Sequence, residues 1–164
     1  MGYEIFDNFL EEDKFNTIRH FLLEDGLCPW YYNSFIVNDK KDDNVFQFTH
    51  TFIRGSDQYF SPYLSVLDPL IIKINPSVIF KIKANLGGRT PFNQEGGYHT
   101  DFNFECKTAV FYVNTNNGYT LFKDGTKVES IANRFVVFDS LMPHTGVSQT
   151  DEKVRCLINL NYAV

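Results

Sequence analysis

Cysteine is scarce. Cys28, Cys106 and Cys156 are the only three, an odd number with no Cys-x-x-Cys pair, which argues against a disulfide framework and against a cysteine zinc site. No apolar run approaches the roughly 20 residues needed to span a bilayer. The opening Met-Gly-Tyr-Glu-Ile-Phe-Asp has acid early, lacks the basic start and apolar stretch of a secretory signal, and carries no myristoylation motif behind Gly2. Positive charge is also short. Lys plus Arg total 15 against 20 Asp plus Glu, a formal net charge of -5, which argues against a general grip on nucleic acid or anionic lipid. What is plentiful is aromatic: 17 Phe and 9 Tyr in 164 residues, with 43% apolar and 21% charged, which excludes disorder. The length predicts one domain, 1–164, large enough to bury about 68–70% of its unfolded surface. The expectation is a soluble cytoplasmic protein without nucleic-acid or membrane partners.

The character of the chain changes once. Residues 1–75 read as a helical and irregular support. Glu11 to Asp25 places Phe15, Ile18, Phe21 and Leu22 on one helical face, with Gly26 as the stop. Trp30 to Phe52 reads as an aromatic, irregular stretch with a polar break over Asn38 to Asn44. Ser61-Pro62 reads as an N-cap and first-turn proline, and Pro69 as a division or kink in the helix that follows. From 76 to 164 the period is two. Phe80, Ile82 and Ala84 alternate with Lys81, Lys83 and Asn85, a half-exposed strand, followed by a loop from Gly87 to Gly97. Further strands are expected over 98–102, 108–114, 119–122, 126–130, 134–139, 146–148 and 155–162. Asn116-Asn117-Gly118 and Asp124-Gly125 give hairpin signals between them. The pattern predicts a mainly β fold with N-terminal α-helices, an antiparallel sandwich or jelly roll.

Only four histidines are available for chemistry: His20, His50, His99 and His144. On a strand, His99 and Asp101 share a face and could grip one ion. His144, beyond a strand-to-turn transition, could meet them if the sheet folds back. Two imidazoles and a carboxylate leave open positions and suit Fe(II), whereas structural zinc wants four closed ligands. The plain alternative is a hydrogen-bonded strand pair. Arg155 stands 11 residues after His144 at the start of a strand. Its planar fork matches the distal carboxylate of a dicarboxylate, or it is a surface partner of Asp151 or Glu152.

These elements together resemble the iron- and 2-oxoglutarate-dependent dioxygenases, in particular the prolyl-4-hydroxylase-like branch. Tyr3 to Leu10 is similar to that branch's opening strand and turn. His99-Thr100-Asp101 is similar to its His-x-Asp pair and Ala109 to Asn114 to its next core strand, and Phe135 to Asp139 with His144 is similar to the approach to its distal His. Ile82 to Leu86 and Asn116 to Phe122 also resemble small phage-encoded members. The resemblance implies a double-stranded β-helix with Fe(II) held by His99, Asp101 and His144, and Arg155 on the distal carboxylate of 2-oxoglutarate. It also implies cosubstrate contacts from Tyr112 and Asn85, although Tyr112 also reads as an ordinary buried aromatic and Asn85 as a strand end. Arg89, on the glycine-rich loop, could meet an anionic or peptide substrate or stand solvated. The implied reaction uses O2, with ascorbate as an accessory reductant. It hydroxylates a C–H of a peptide prolyl residue or a small molecule and releases succinate and CO2. The shortened double-glycine motif at Asn116 to Tyr119 weighs against prolyl peptides. A non-catalytic jelly-roll binding module and a cupin-like metalloenzyme are the other readings, separated from the first by whether Arg155 faces the metal cavity.

Overall fold

The computed structural model describes residues 2–36 and 46–164, so the polar break expected over Asn38 to Asn44 lies outside the described residues. In chain order the elements are β1 (Tyr3–Phe6), α1 (Glu12–Leu23), β2 (Tyr31–Asn33), β3 (Gln47–Arg54), β4 (Tyr59–Phe60), α2 (Asp68–Ile74) and β5 (Val78–Gly88). They continue with β6 (Lys107–Tyr112), β7 (Tyr119–Phe122), β8 (Lys127–Glu129), β9 (Phe135–Asp139), β10 (His144–Val147) and β11 (Val154–Ala163). The fold is mainly β and its strand pairs are antiparallel. One large sheet runs β1-β9-β6-β11-β5-β3-β2 with β4 added to β3, and a small sheet runs β10-β7-β8.

Period-two alternation gives the large sheet two faces of different character. Along β11, Cys156, Ile158, Leu160 and Tyr162 join Ile82 and Ala84 of β5 and Ala109 and Phe111 of β6 in one apolar cluster. That cluster also takes in Phe15, Ile18, Phe21 and Leu22, the face of α1 expected from helical spacing, and Leu70 of α2. The opposite face of β11 presents Arg155, Leu157, Asn159 and Asn161. There a second cluster (Val110, Tyr112, Val136, Phe138, Leu157) packs against Phe122 and Val128 of the small sheet. The polar half of this face, on β5 and β11, is the floor of the site.

Several local expectations are corrected. The segment before residue 75 is not only helical and irregular, because β1 through β4 extend the large sheet, and β3 occupies part of the stretch read as irregular. Ser61-Pro62 does not cap a helix. The Ser61 hydroxyl accepts from the Tyr63 N–H, a short 3-10 turn spans Leu64–Leu67, and Pro69 sits in the first turn of α2 rather than breaking a helix. The strand β5 continues through Gly87 and Gly88, which pair with Arg155 and Val154. Asn116-Asn117-Gly118 joins no hairpin, because β6 and β7 lie in different sheets, and the segment from Gln149 to Glu152 likewise links β10 to β11 across sheets. Asp124-Gly125 does turn a hairpin, β7 to β8, with Gly125 at φ 90. Among the described residues no helix is long and apolar enough to cross a membrane.

Candidate functional site

His99, Asp101 and His144 come together. Each offers one ligand atom, and the three atoms lie within 4.8 Å of one another. The expected strand over 98–102 is absent. His99 instead makes a two-way backbone bridge with His144, each N–H donating to the other's carbonyl at 3.0 Å. This bridge sets the two rings 4.6 Å apart, and Asp101 follows two residues on. His144 Nε2 is 4.0 Å and His99 Nε2 3.5 Å from Asp101 Oδ1. A metal about 2.1 Å from each donor holds adjacent donors about 3 Å apart, so small side-chain rotations close the group around an ion.

The donor chemistry fits such an ion. His144 Nδ1 lies 3.0 Å from the Met142 carbonyl and His99 Nδ1 3.2 Å from that of Gly97. A carbonyl only accepts, so each Nδ1 carries the proton and each Nε2 presents its lone pair to the site. Burial lowers the pKa of His144 and favours its neutral, ligating form. Asp101 Oδ2 accepts from the side-chain amides of Asn159 and Asn161, both at 2.9 Å, which leaves Oδ1 free. Burial opposes ionisation of Asp101, but when the imidazoles are protonated a hydrogen bond from His99 and the charge of His144 join the Lys81 charge and the Asn161 amide in outweighing it, and the carboxyl is held well below the usual range. Phe138 closes the far side of His144, edge-on at 4.8 Å.

Arg155 rises from the same floor. Its Nε donates to Ser130 Oγ at 2.9 Å, its Cζ lies 5.8 Å from the centre of the Tyr112 ring, and its Nη2 is buried without a partner. The surface ion pair is ruled out as its role: Asp151 accepts instead from the Asn117 N–H. Gly118 makes room for the guanidinium stem, since an added Cβ would lie 2.8 Å from Arg155 Cδ and equally close to the Val147 carbonyl. Burial lowers the pKa of Arg155 and no carboxylate bonds it among the described residues, so this cation waits for an anion. It lines a cavity of about 310 Å³ with Asn85, Gly146 and Leu157, and exposed Arg89 stands at the rim. Gly146 is two residues along β10 from His144, so donor group and cavity adjoin. The Asn85 side-chain oxygen is buried without a partner. The Tyr112 hydroxyl donates to Thr120 Oγ1 at 2.7 Å.

His50 takes no part: it is buried between the Pro29 carbonyl at 2.8 Å and Ser61 Oγ at 2.9 Å. His20 stands at the surface beside Glu24. Sequence reasoning missed Asn159 and Asn161. The signal was present, since Arg155, Leu157, Asn159 and Asn161 alternate within an otherwise apolar strand.

No family model matches the chain, and no curated protein matches it. Solved structures do. A prolyl hydroxylase from Trichoplax adhaerens, in complex with a hypoxia-inducible-factor peptide fragment, aligns at TM-score 0.69 and 15% identity over 99% of this chain and 83% of its own. A Pseudomonas putida prolyl-4-hydroxylase aligns at 0.63 and 18% over 99% and 93%. HygX from Streptomyces hygroscopicus, with nickel, 2-oxoglutarate and hygromycin B bound, aligns at 0.62 and 8% over 99% and 82%. The chain shares the fold of prolyl hydroxylases and other 2-oxoglutarate-Fe(II) oxygenases.

Proposed function

We propose that this chain is a non-haem Fe(II)- and 2-oxoglutarate-dependent dioxygenase built as one jelly-roll (double-stranded β-helix) domain. In this reading it hydroxylates a C–H of a peptide prolyl residue or a small molecule and releases succinate and CO2. One observation carries the reading: a His-Asp-His donor group with its Nε2 and Oδ1 atoms free adjoins a cavity lined by a buried guanidinium with an unpartnered N–H. Similarity to structures that hold a peptide in one case and 2-oxoglutarate with hygromycin B in another supports both substrate classes.

His99, Asp101 and His144 hold the iron, and Asn159 and Asn161 keep the Asp101 carboxylate turned toward it. Arg155 receives the distal carboxylate of 2-oxoglutarate, which fits the free Nη2 and the volume beside it. Asn85 adds an amide contact from the cavity floor. Tyr112 braces the guanidinium from below, since its hydroxyl proton is already given to Thr120. Arg89 meets the substrate at the rim. Iron and 2-oxoglutarate, when bound, supply O2 activation and oxidative decarboxylation. The chain binds both, orients the substrate carbon and keeps water from the apolar wall formed by Phe122 and Phe138.

Anaerobic titration of the iron-loaded protein with 2-oxoglutarate tests the reading. The visible charge-transfer band of the chelate is expected to grow to saturation. Iron uptake with no 2-oxoglutarate binding overturns the dioxygenase and leaves a non-catalytic binding module.

A further inference from the structure

The floor of the cleft carries two cations that the proposed reaction does not use. Lys81 and Lys83 stand at i and i+2 on β5, on the face shared with Asn85. The register sets Lys83 beside Asn159 and Lys81 beside Asn161, the two amides that donate to Asp101. Neither ammonium forms an ion pair among the described residues, and Lys81 Nζ lies 5.5 Å from the centre of the Phe102 ring. Burial draws the Lys83 pKa down to about 8, the Lys81 charge acts in the same direction and Asp101 opposes it. The Lys81 charge in turn helps to keep Asp101 ionised. Both side chains therefore act on the donor group electrostatically.

The charges of the loaded site then do not balance without a further anion. A divalent metal and Arg155 offset Asp101 and dianionic 2-oxoglutarate, which leaves both ammoniums uncompensated among the described residues. Unpaired charge in a partly buried cleft is costly, and a lysine that only filled space here would be replaced by a long apolar side chain without that cost.

We infer that Lys81 and Lys83 receive an anionic group of the primary substrate, a carboxylate or a phosphate, beside the metal. The inference rests on the dioxygenase reading and narrows it. The carbon oxidised lies close to an acidic group, which fits a small anionic molecule and disfavours an internal prolyl residue, whose ring and flanking amides carry no charge.

The test uses the whole protein loaded with Co(II) and N-oxalylglycine, an unreactive stand-in for 2-oxoglutarate. Inorganic phosphate is titrated and followed by paramagnetic broadening of its phosphorus NMR line. Wild type is expected to bind saturably, and Lys83→Met and Lys81→Met each to bind about tenfold or more weakly, with Lys83→Arg retaining part. The cobalt absorption spectrum and the N-oxalylglycine affinity should stay unchanged in all variants, which also reports that they fold. Equal phosphate affinity in wild type and Lys83→Met, with cobalt and N-oxalylglycine bound, overturns this inference alone. Loss of N-oxalylglycine affinity in Lys83→Met overturns it as well, by giving the lysines to the cosubstrate. Failure of cobalt-loaded wild type to take up N-oxalylglycine removes the dioxygenase reading and this inference together.

Discussion

The two ends of the cleft are prepared differently. At the donor end each ligand is held by an atom that faces away from the site: backbone carbonyls fix both imidazoles and two asparagines fix Asp101. At the cavity end the Nη2 of Arg155 and the side-chain oxygens of Asn85 and Gln149 are buried without partners. At the first end the three ligand side chains are already anchored, and the unpartnered atoms there are the side-chain oxygens of Asn159 and Asn161, one step behind the ligands. The second is completed only by a ligand with acceptors and donors of its own. Orientation is thus built in at one end and left to binding at the other, where each unmet polar atom raises the gain from filling the site.

The largest effect separates the ends outright. His144→Ala is expected to abolish metal binding, whereas Arg155→Ala leaves it intact and weakens 2-oxoglutarate about thirty-fold or more. Metal titration and cosubstrate titration on both variants read the contrast, and parallel losses in both assays break it. Next, Asn161→Ala removes one of the two amides on Asp101 and should weaken the metal about tenfold, since such partners typically contribute a factor of 10–100. The same titration checks it, and cosubstrate affinity measured at saturating metal should not move. Gly118→Ala sharpens the other end: its Cβ forces Arg155 and the Val147 backbone to give way, at about 1–3 kcal/mol of stability and a few-fold loss of 2-oxoglutarate affinity. Denaturant unfolding and cosubstrate titration measure the two parts.

The smallest effect runs the other way. Lys83→Met should stabilise the metal-free protein at neutral pH by about 1–3 kcal/mol. Between about 8 and 10.5 the unfolded chain holds the Lys83 proton that the folded chain has lost. Wild-type stability from this group therefore rises with pH across that window, and the advantage of the variant, full below it, fades by its upper end. Thermal unfolding at neutral and alkaline pH decides it, and an advantage independent of pH sinks the assignment to charge burial.

What could be read in the sequence divides along the same physical line. His-x-Asp spacing, the distant His144 and the offset to Arg155 are separations along one chain, and a folded-back β protein converts them into proximity. The helical face of α1 was legible for a similar reason, because period 3.6 and a glycine stop are local. Alternation does not say which face meets water. Lys81, Lys83 and Asn85 read as the exposed side of a strand, although the small sheet opposite makes that side the floor of a cleft. Turn chemistry has the same limit. Asn116-Asn117-Gly118 bends the chain as its residues dictate, but whether the flanking strands pair depends on the sheet each joins. Gly118 serves to admit the Arg155 side chain, a reason visible only once β11 is in place.

The backbone bridge between His99 and His144 has a mechanical consequence. Residues 89–106 span the gap between β5 and β6 without a strand or helix, and the isolated bridges at Glu95 and His99 stitch them to β10. An ion shared by His99, Asp101 and His144 adds a third stitch, far stronger than either. Loading the site therefore fastens a whole span of chain, and the amides around 95–101 should exchange their hydrogens much more slowly once metal is present.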